Sequence, residues 1–481
     1  MNGSATNPRL VIAGMSGDSG KTLFSLGLLL ALRDRGFAVR AFKKGPDYID
    51  AAWLSWASGQ PARNLDTYLM GFPECVASFT RSASAAGINL IEGNRGLFDG
   101  SDARGTHSTA ALAKILQAPV LLMINASKVT RTAAAWVLGC RQLDPEVRIG
   151  GVILNHVNGA RHERVIRDAI ESACGLPVLG ALPRVARDAL LPARHLGLLT
   201  PCEHHRLAEL SDNLRELLRD RTDFSRILTL AAEVPPLQGS TAPISELPDA
   251  RGVRLGFLKD SAFSFYYPEN LEMLERSGAE LIPLSPLTAN AVPPDLDALY
   301  IGGGFPETHG AALSANQDFL AALKAAAGNG LPIYAECGGL MLLSRAIRWN
   351  AARHPMAGVF PFDVEVLPTP QGHGYVELVV DRPNPFFSQG LRIRGHEFHY
   401  SRIVGEDAPA TAACAVLRGI GCGQKRDGLV QGNVWASYTH IHALGTPEWV
   451  PGLLSAAKRA KFPRSSLDPL PLPFARITRE T

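Results

Sequence analysis

Apolar and polar positions alternate in short blocks along the first half of the chain. "RLVIAG" at 9–14, "INLIEG" at 88–93, "PVLLMINA" at 119–126 and "GGVILNHV" at 150–157 are runs of strand length. Helical stretches lie between them, such as "TLFSLGLLLALRDRG" at 22–36. Strands alternating with helices predict a doubly wound parallel sheet. The pattern continues to about residue 228 and is followed by the Pro- and Ser-rich "EVPPLQGSTAPISELPDARG", which reads as a linker. A second α/β pattern starts at "VRLGFLKD" and runs through "LDALYIGGGFPE" and "LPIYAECGG" to "GYVELVV" and "IRGHEFHYSRI". The predicted division is 1–228, a linker over 229–250, a second domain over 251–461 and a tail over 462–481.

With 481 residues, two or three domains are expected. Hydrophobic residues at 46% and charged residues at 19% describe a globular chain. A net charge of +3 without a long basic block argues against nucleic acid as a partner. The seven cysteines are scattered, odd in number and form no CxxC pair, which argues against a disulfide framework or a zinc site. No signal-like N-terminus and no apolar run of about 18 residues is present, so a cytoplasmic protein without a membrane partner is expected.

Two stretches carry chemistry. In "GMSGDSGKT", residues 14–22, a glycine-rich turn joins a strand to a helix. Backbone N–H groups of Gly17, Asp18, Ser19 and Gly20 can surround phosphate oxygens at a helix N-terminus. Lys21 would reach the outer phosphates and Thr22 would hold Mg²⁺. Gly14 stands one residue further from Gly20 than the common P-loop spacing requires. Asp47 and Asp50 follow a second strand in "FKKGPDYID", and Glu92 ends another. Carboxylates at such strand ends lie on the ligand face and suit Mg²⁺.

In "IYAECGGLM", a strand-like run meets a helix-like run at Cys337. A sharp turn there would expose the thiol as a nucleophile, and a helix N-terminus favours the thiolate. His440 and His442, in "WASYTHIHA", fall on one face of a predicted strand, and either could be its base. Gly303 and Gly304 in "GGGFPE", together with Gly338, offer N–H donors to an oxyanion. The other six cysteines read as structural.

These motifs, with "NLD" at 64–66, "ARHLGL" at 193–198 and "AFSFYYPENLEMLE", resemble the cobyrinate a,c-diamide synthase family from about residue 9 to 455. The resemblance implies a dethiobiotin synthetase-like P-loop domain followed by a class I glutamine amidotransferase domain. It implies ATP, Mg²⁺ and glutamine as reactants, a tetrapyrrole substrate and the option of a homodimer. Cys337 would release ammonia from glutamine with His440 as activating base. Lys21, Thr22 and Glu92 would bind ATP–Mg²⁺, and Asp47 would act on metal or substrate. Lys43, Tyr48, Asp50, Asn94, Arg95 and Asp99 are expected to face the substrate. Many class I glutaminases have a glutamate two residues after the histidine; here that residue is His442, which points to a Cys–His dyad. Family members commonly carry two apolar residues where this chain has Asn94-Arg95, and an aspartate where it has Asn125. A more positive pocket tilts the expectation slightly toward a siroheme-type macrocycle over cobyrinic acid. A P-loop ATPase with an inert glutaminase-like domain, and a cobyric acid synthase, fit the motifs less well.

Overall fold

The computed structural model describes all residues except 1–5, 186–190, 192, 195–196, 238–246, 405–410 and 462–481. Much of the expected linker, part of "ARHLGL" and the whole expected tail therefore lie outside the described residues.

The first half is a seven-stranded sheet built from β1 (Arg9–Gly14), β2 (Val39–Lys44), β3 (Arg63–Leu65), β4 (Ile88–Gly96), β5 (Val120–Asn125), β6 (Ile149–Val157) and β7 (Val178–Pro183). The order is β3-β2-β4-β1-β5-β6-β7, with every pairing parallel. Parallel strands buried on both faces need continuous apolar runs, and β1 is buried at all six positions. Helix α1 (Lys21–Asp34) follows β1 and is apolar nearly all round. The reason is a second layer: Gly27 lies so close to the helix Leu207–Leu218 that an added Cβ would stand 2.8 Å from Leu218 Cδ1. Each leucine sealed in this way contributes roughly 1.5–3 kcal/mol of burial. The helical pattern outlasts the expected end at 228, because helix Phe224–Ala232 keeps Phe224, Ile227, Leu230 and Ala231 in the core.

The second half forms a ten-stranded mixed sheet. Strands Glu280–Leu284, Arg254–Leu258, Ala298–Ile301, Ile333–Glu336 and Val434–Ser437 are parallel neighbours. The sheet continues through antiparallel strands Arg426–Gln431, Ala412–Arg418, Gly372–Val380 and Arg392–His399, and ends on the short strand His440–Ile441. His440 lies three residues beyond Val434–Ser437, the direct neighbour of the strand Ile333–Glu336 that leads into Cys337, and this keeps it near that strand's end.

The halves meet along polar and aromatic contacts. Arg63 forms ion pairs with Glu269 at 3.2 Å and Glu272 at 2.5 Å. Ser78 donates to Glu269 at 2.8 Å, and Tyr375 donates to the buried Asp66 at 2.8 Å. Tyr48, opening helix α2 (Tyr48–Ser58), stacks on Phe265 with centroids 5.1 Å apart. At Gly445 the two backbones touch: a Cβ there would lie 1.8 Å from Leu69 O. Gly445→Ala is therefore expected to push the halves apart, costing roughly 1–3 kcal/mol. A thermal melt would register the loss.

Candidate active site

The turn after β1 brings the phosphate loop to the C-terminal edge of the sheet. Gly20 adopts φ 94°, a left-handed conformation that favours glycine, and an added Cβ would collide with Asn155 Nδ2 at 2.1 Å. Asn155, at the end of β6, donates to Ser19 O at 3.0 Å and clamps the loop. The sequence reading missed Asn155, although its position at the end of a parallel strand was a usable signal. Lys21 folds along the loop, donating to Ser16 O at 3.0 Å and Arg95 O at 2.7 Å. Burial, then the nearby Lys43 charge, push its ammonium down to about 8.

Below the loop, β2 and β4 place Lys43 against Glu92. Lys43 contacts Asp50 at 2.5 Å and Glu92 at 2.8 Å. Burial opposes its charge, but Asp50 and Glu92 outweigh burial and hold it protonated. Thr22 donates to Glu92 Oε1 at 3.0 Å, while Glu92 Oε2 is buried without a hydrogen-bond partner. An acceptor of that kind suits a cation. Asp47 caps α2, accepting from Ile49 N and Asp50 N at 2.8 Å. Burial, reinforced by Asp50, raises its carboxyl above the usual range. Among the described residues no three His, Cys, Asp or Glu side chains enclose a metal by themselves. Lys43 lines the cavity of about 230 Å³ at the phosphate loop and not the larger one, because β2 sets it beside Glu92 on β4.

In the second half, strand Ile333–Glu336 turns into helix Gly338–Leu343 through Cys337, whose φ is +48°. A non-glycine residue in that region marks strain at the apex of the turn. Burial pushes the Cys337 thiol well up, with Glu307 adding to it, while the Gly338 N–H works the other way. The three candidate donor glycines converge. A Cβ on Gly338 would lie 3.0 Å from Gly304 N, and one on Gly303 would lie 2.5 Å from His440 Cε1. The remaining cysteines form no disulfide, and Cys202 alone among them is exposed.

The two histidines part company. His440 shares a cavity with Cys337. His442 turns away to pack on Tyr267, with its Nε2 3.5 Å from Glu269. The strand stops at Ile441, and the chain then bends, with Gly445 and Thr446 N–H groups bonding to His442 O. The alternation expected to align the pair does not extend that far.

A cavity of about 610 Å³ opens between the halves. Cys337 and His440 line it, and so do Asp47, Tyr48, Asp50, Asn94, Arg95 and Asp99. Asp50, Asn94 and Arg95 also border the phosphate-loop cavity, so the two spaces adjoin. The sequence reading missed Glu307, His373 and Arg418 on its walls.

Comparison with known proteins agrees with both halves. Residues 10–199 match the CobQ/CobB/MinD/ParA nucleotide binding domain, and residues 254–448 match the CobB/CobQ-like glutamine amidotransferase domain. A cobyrinate a,c-diamide synthase of Magnetococcus marinus is 42% identical over 93% of this chain and 96% of its own length. Relatives of the same name from Archaeoglobus fulgidus and Methanothermobacter thermautotrophicus are each 39% identical, over 91% and 92% of this chain and 94% and 97% of their own lengths. No described helix is long and apolar enough to cross a membrane. With a phosphate loop and a thiol elbow opening on adjoining cavities, and with relatives of this similarity along nearly its full length, the chain belongs to the cobyrinate a,c-diamide synthase family of glutamine-dependent amidotransferase ligases.

Proposed function

We propose that the chain uses ATP and glutamine to amidate the a and c acetate carboxylates of cobyrinic acid. The observation that carries this reading is the cavity whose walls include both Cys337 with His440 and Asn94 with Arg95. Cys337 sulfur attacks the glutamine side-chain carbonyl carbon while His440 takes the thiol proton. The N–H groups of Gly304 and Gly338 face the oxyanion. His440 then protonates the leaving nitrogen; ammonia departs and a thioester remains, which water hydrolyses to glutamate. At the phosphate loop, a substrate carboxylate oxygen takes the γ-phosphoryl group of ATP, releasing ADP. Ammonia attacks the acyl carbon, phosphate leaves and the amide forms. Lys21 and the loop N–H groups hold the phosphates. Thr22 and Glu92 would hold Mg²⁺, with Asp47 nearby, and the ion would supply neutralisation of phosphate charge. The first functional unit is proposed to include helix Phe224–Ala232, which runs across residue 228. The second runs to the end of helix Trp449–Lys461.

The tilt toward a siroheme-type substrate, drawn from Asn94-Arg95, is withdrawn. Relatives near 40% identity along almost the whole chain carry the cobyrinate name, and that outweighs two positions. Arg95 instead serves as a partner for a macrocycle carboxylate. Arg95→Leu is expected to raise KM for the macrocycle about 10- to 100-fold, the worth of a charged hydrogen bond, with KM for glutamine unchanged. Mass spectrometry after incubation with ATP, Mg²⁺, glutamine and each macrocycle tests the substrate. Cobyrinic acid should lose about 1 Da per exchange of OH for NH₂, twice. Conversion of siroheme or sirohydrochlorin with cobyrinic acid untouched would overturn the assignment.

A further inference from the structure

We propose that Glu336, the residue immediately before the thiol, is the carboxylate that positions His440. The proposal rests on the glutaminase reading of Cys337 and His440. With His442 turned into the seam, the place of a third group looks vacant along the sequence. The fold fills it from the other side. Glu336 ends the strand that leads into the elbow and is wholly buried. Its Oε2 lies 3.4 Å from His440 Nδ1. Its Oε1 accepts from Ile441 N at 3.2 Å, so one carboxylate fixes both the ring and the backbone beside it. Tyr300 donates to the same Oε2 at 3.2 Å. Asn270 completes the frame, donating to Ile441 O at 3.1 Å and accepting from Ala443 N at 2.8 Å.

The chemistry follows from the tautomer. A carboxylate can only accept at Nδ1, so the His440 proton resides on Nδ1 and Nε2 keeps a lone pair. Nε2 lies on the ring edge nearest Gly303, 3.3 Å from where a Cβ on that glycine would stand. It is therefore the base on the cavity side. When His440 takes the thiol proton, Glu336 stabilises the imidazolium, the role an orienting carboxylate plays in a hydrolase triad.

The test compares Cys337→Ser, Glu336→Gln, Glu336→Asp and Tyr300→Phe with either glutamine or ammonium as nitrogen source. An amide at 336 presents N–H to Nδ1 and favours the wrong tautomer. In Glu336→Gln, glutamine-driven kcat should fall about 10²- to 10⁴-fold, KM for glutamine should move little, and ammonium-driven amidation should persist. The residual acid limb of glutaminase kcat/KM should shift to lower pH, because the imidazolium has lost its counter-charge. Glu336→Asp should restore part of the rate. If the Gln variant fails to fold, Tyr300→Phe decides. Removing that donor leaves Oε2 more negative, so the acid limb should shift to higher pH if Glu336 acts on His440 and stay fixed if it is only structural. A Glu336→Gln enzyme with glutamine kcat within twofold of wild type and an unmoved limb, beside a dead Cys337→Ser, would overturn this inference alone. Glutamine use surviving in Cys337→Ser would overturn the underlying reading instead.

Discussion

Replacing Cys337 by serine is expected to abolish glutamine use and to leave ammonium-driven amidation near the wild-type rate. Burial drives the thiol pKa well above its ordinary value, which favours neutral sulfur at rest, and in the proposed mechanism the nucleophile forms as His440 removes its proton. A serine hydroxyl is harder to deprotonate and less nucleophilic. The same desolvation that silences the resting thiol therefore blocks the alcohol. Loss of the nucleophile from a unit of this kind costs at least about 10³-fold. Glutamate release reads the first half-reaction, and amidation with added ammonium reads the second. The two are separable because the phosphate loop, Lys43 and Glu92 lie around their own cavity, which does not include Cys337. Loss of both activities in a well-folded variant would mean that the thiol serves the ligase chemistry directly.

The parts of this site that were legible in the sequence are contiguous in it. The loop from Gly14 to Thr22 and the elbow at Cys337 each place strand, turn and helix within about ten residues, so spacing alone declares them. What was not legible depends on which strands become neighbours. Asn155 reaches Ser19 across 136 residues. Glu336 meets His440 across 104. Asp66 meets Tyr375 across 309. Lys43 meets Glu92 across 49 residues, because sheet order sets β2 against β4. His442 was misaligned because strand alternation was extended past Ile441, where the chain already bends. Asn94 and Arg95 line the cavity shared by the halves, while the inference from their charge to a particular macrocycle is not supported by the relatives.

Lys21→Ala is expected to abolish amidation with either nitrogen source while glutamine hydrolysis by Cys337 survives, the mirror image of the Cys337→Ser result. The lysine stands at the start of α1, where its ammonium donates to the backbone oxygens of Ser16 and Arg95 and to the Ser19 hydroxyl. Burial, with the Lys43 charge beside it, carries its pKa down to about 8 against the opposing pull of Glu92, Asp50 and Asp18. Phosphate oxygens would supply the missing negative charge. Losing one preorganised contact of this type costs on the order of 10² to 10³-fold. The pH dependence has a definite sign. Below pH 8 the lysine of the free enzyme is already charged, and nucleotide binding takes up no proton there. Above pH 8 it is neutral, and bound phosphate must draw a proton back onto it. KM for ATP should therefore be flat below about pH 7.5 and rise above pH 8 by up to tenfold per unit, the proportion set by one proton. Lys21→Arg keeps its charge across this range, so whatever its rate, its ATP affinity should lack that rise. Calorimetric titration of wild type and Lys21→Arg between pH 7 and 9.5 reads both curves. Parallel curves would place the titrating group elsewhere, and an ATP affinity untouched in Lys21→Ala would remove the lysine from the nucleotide site altogether.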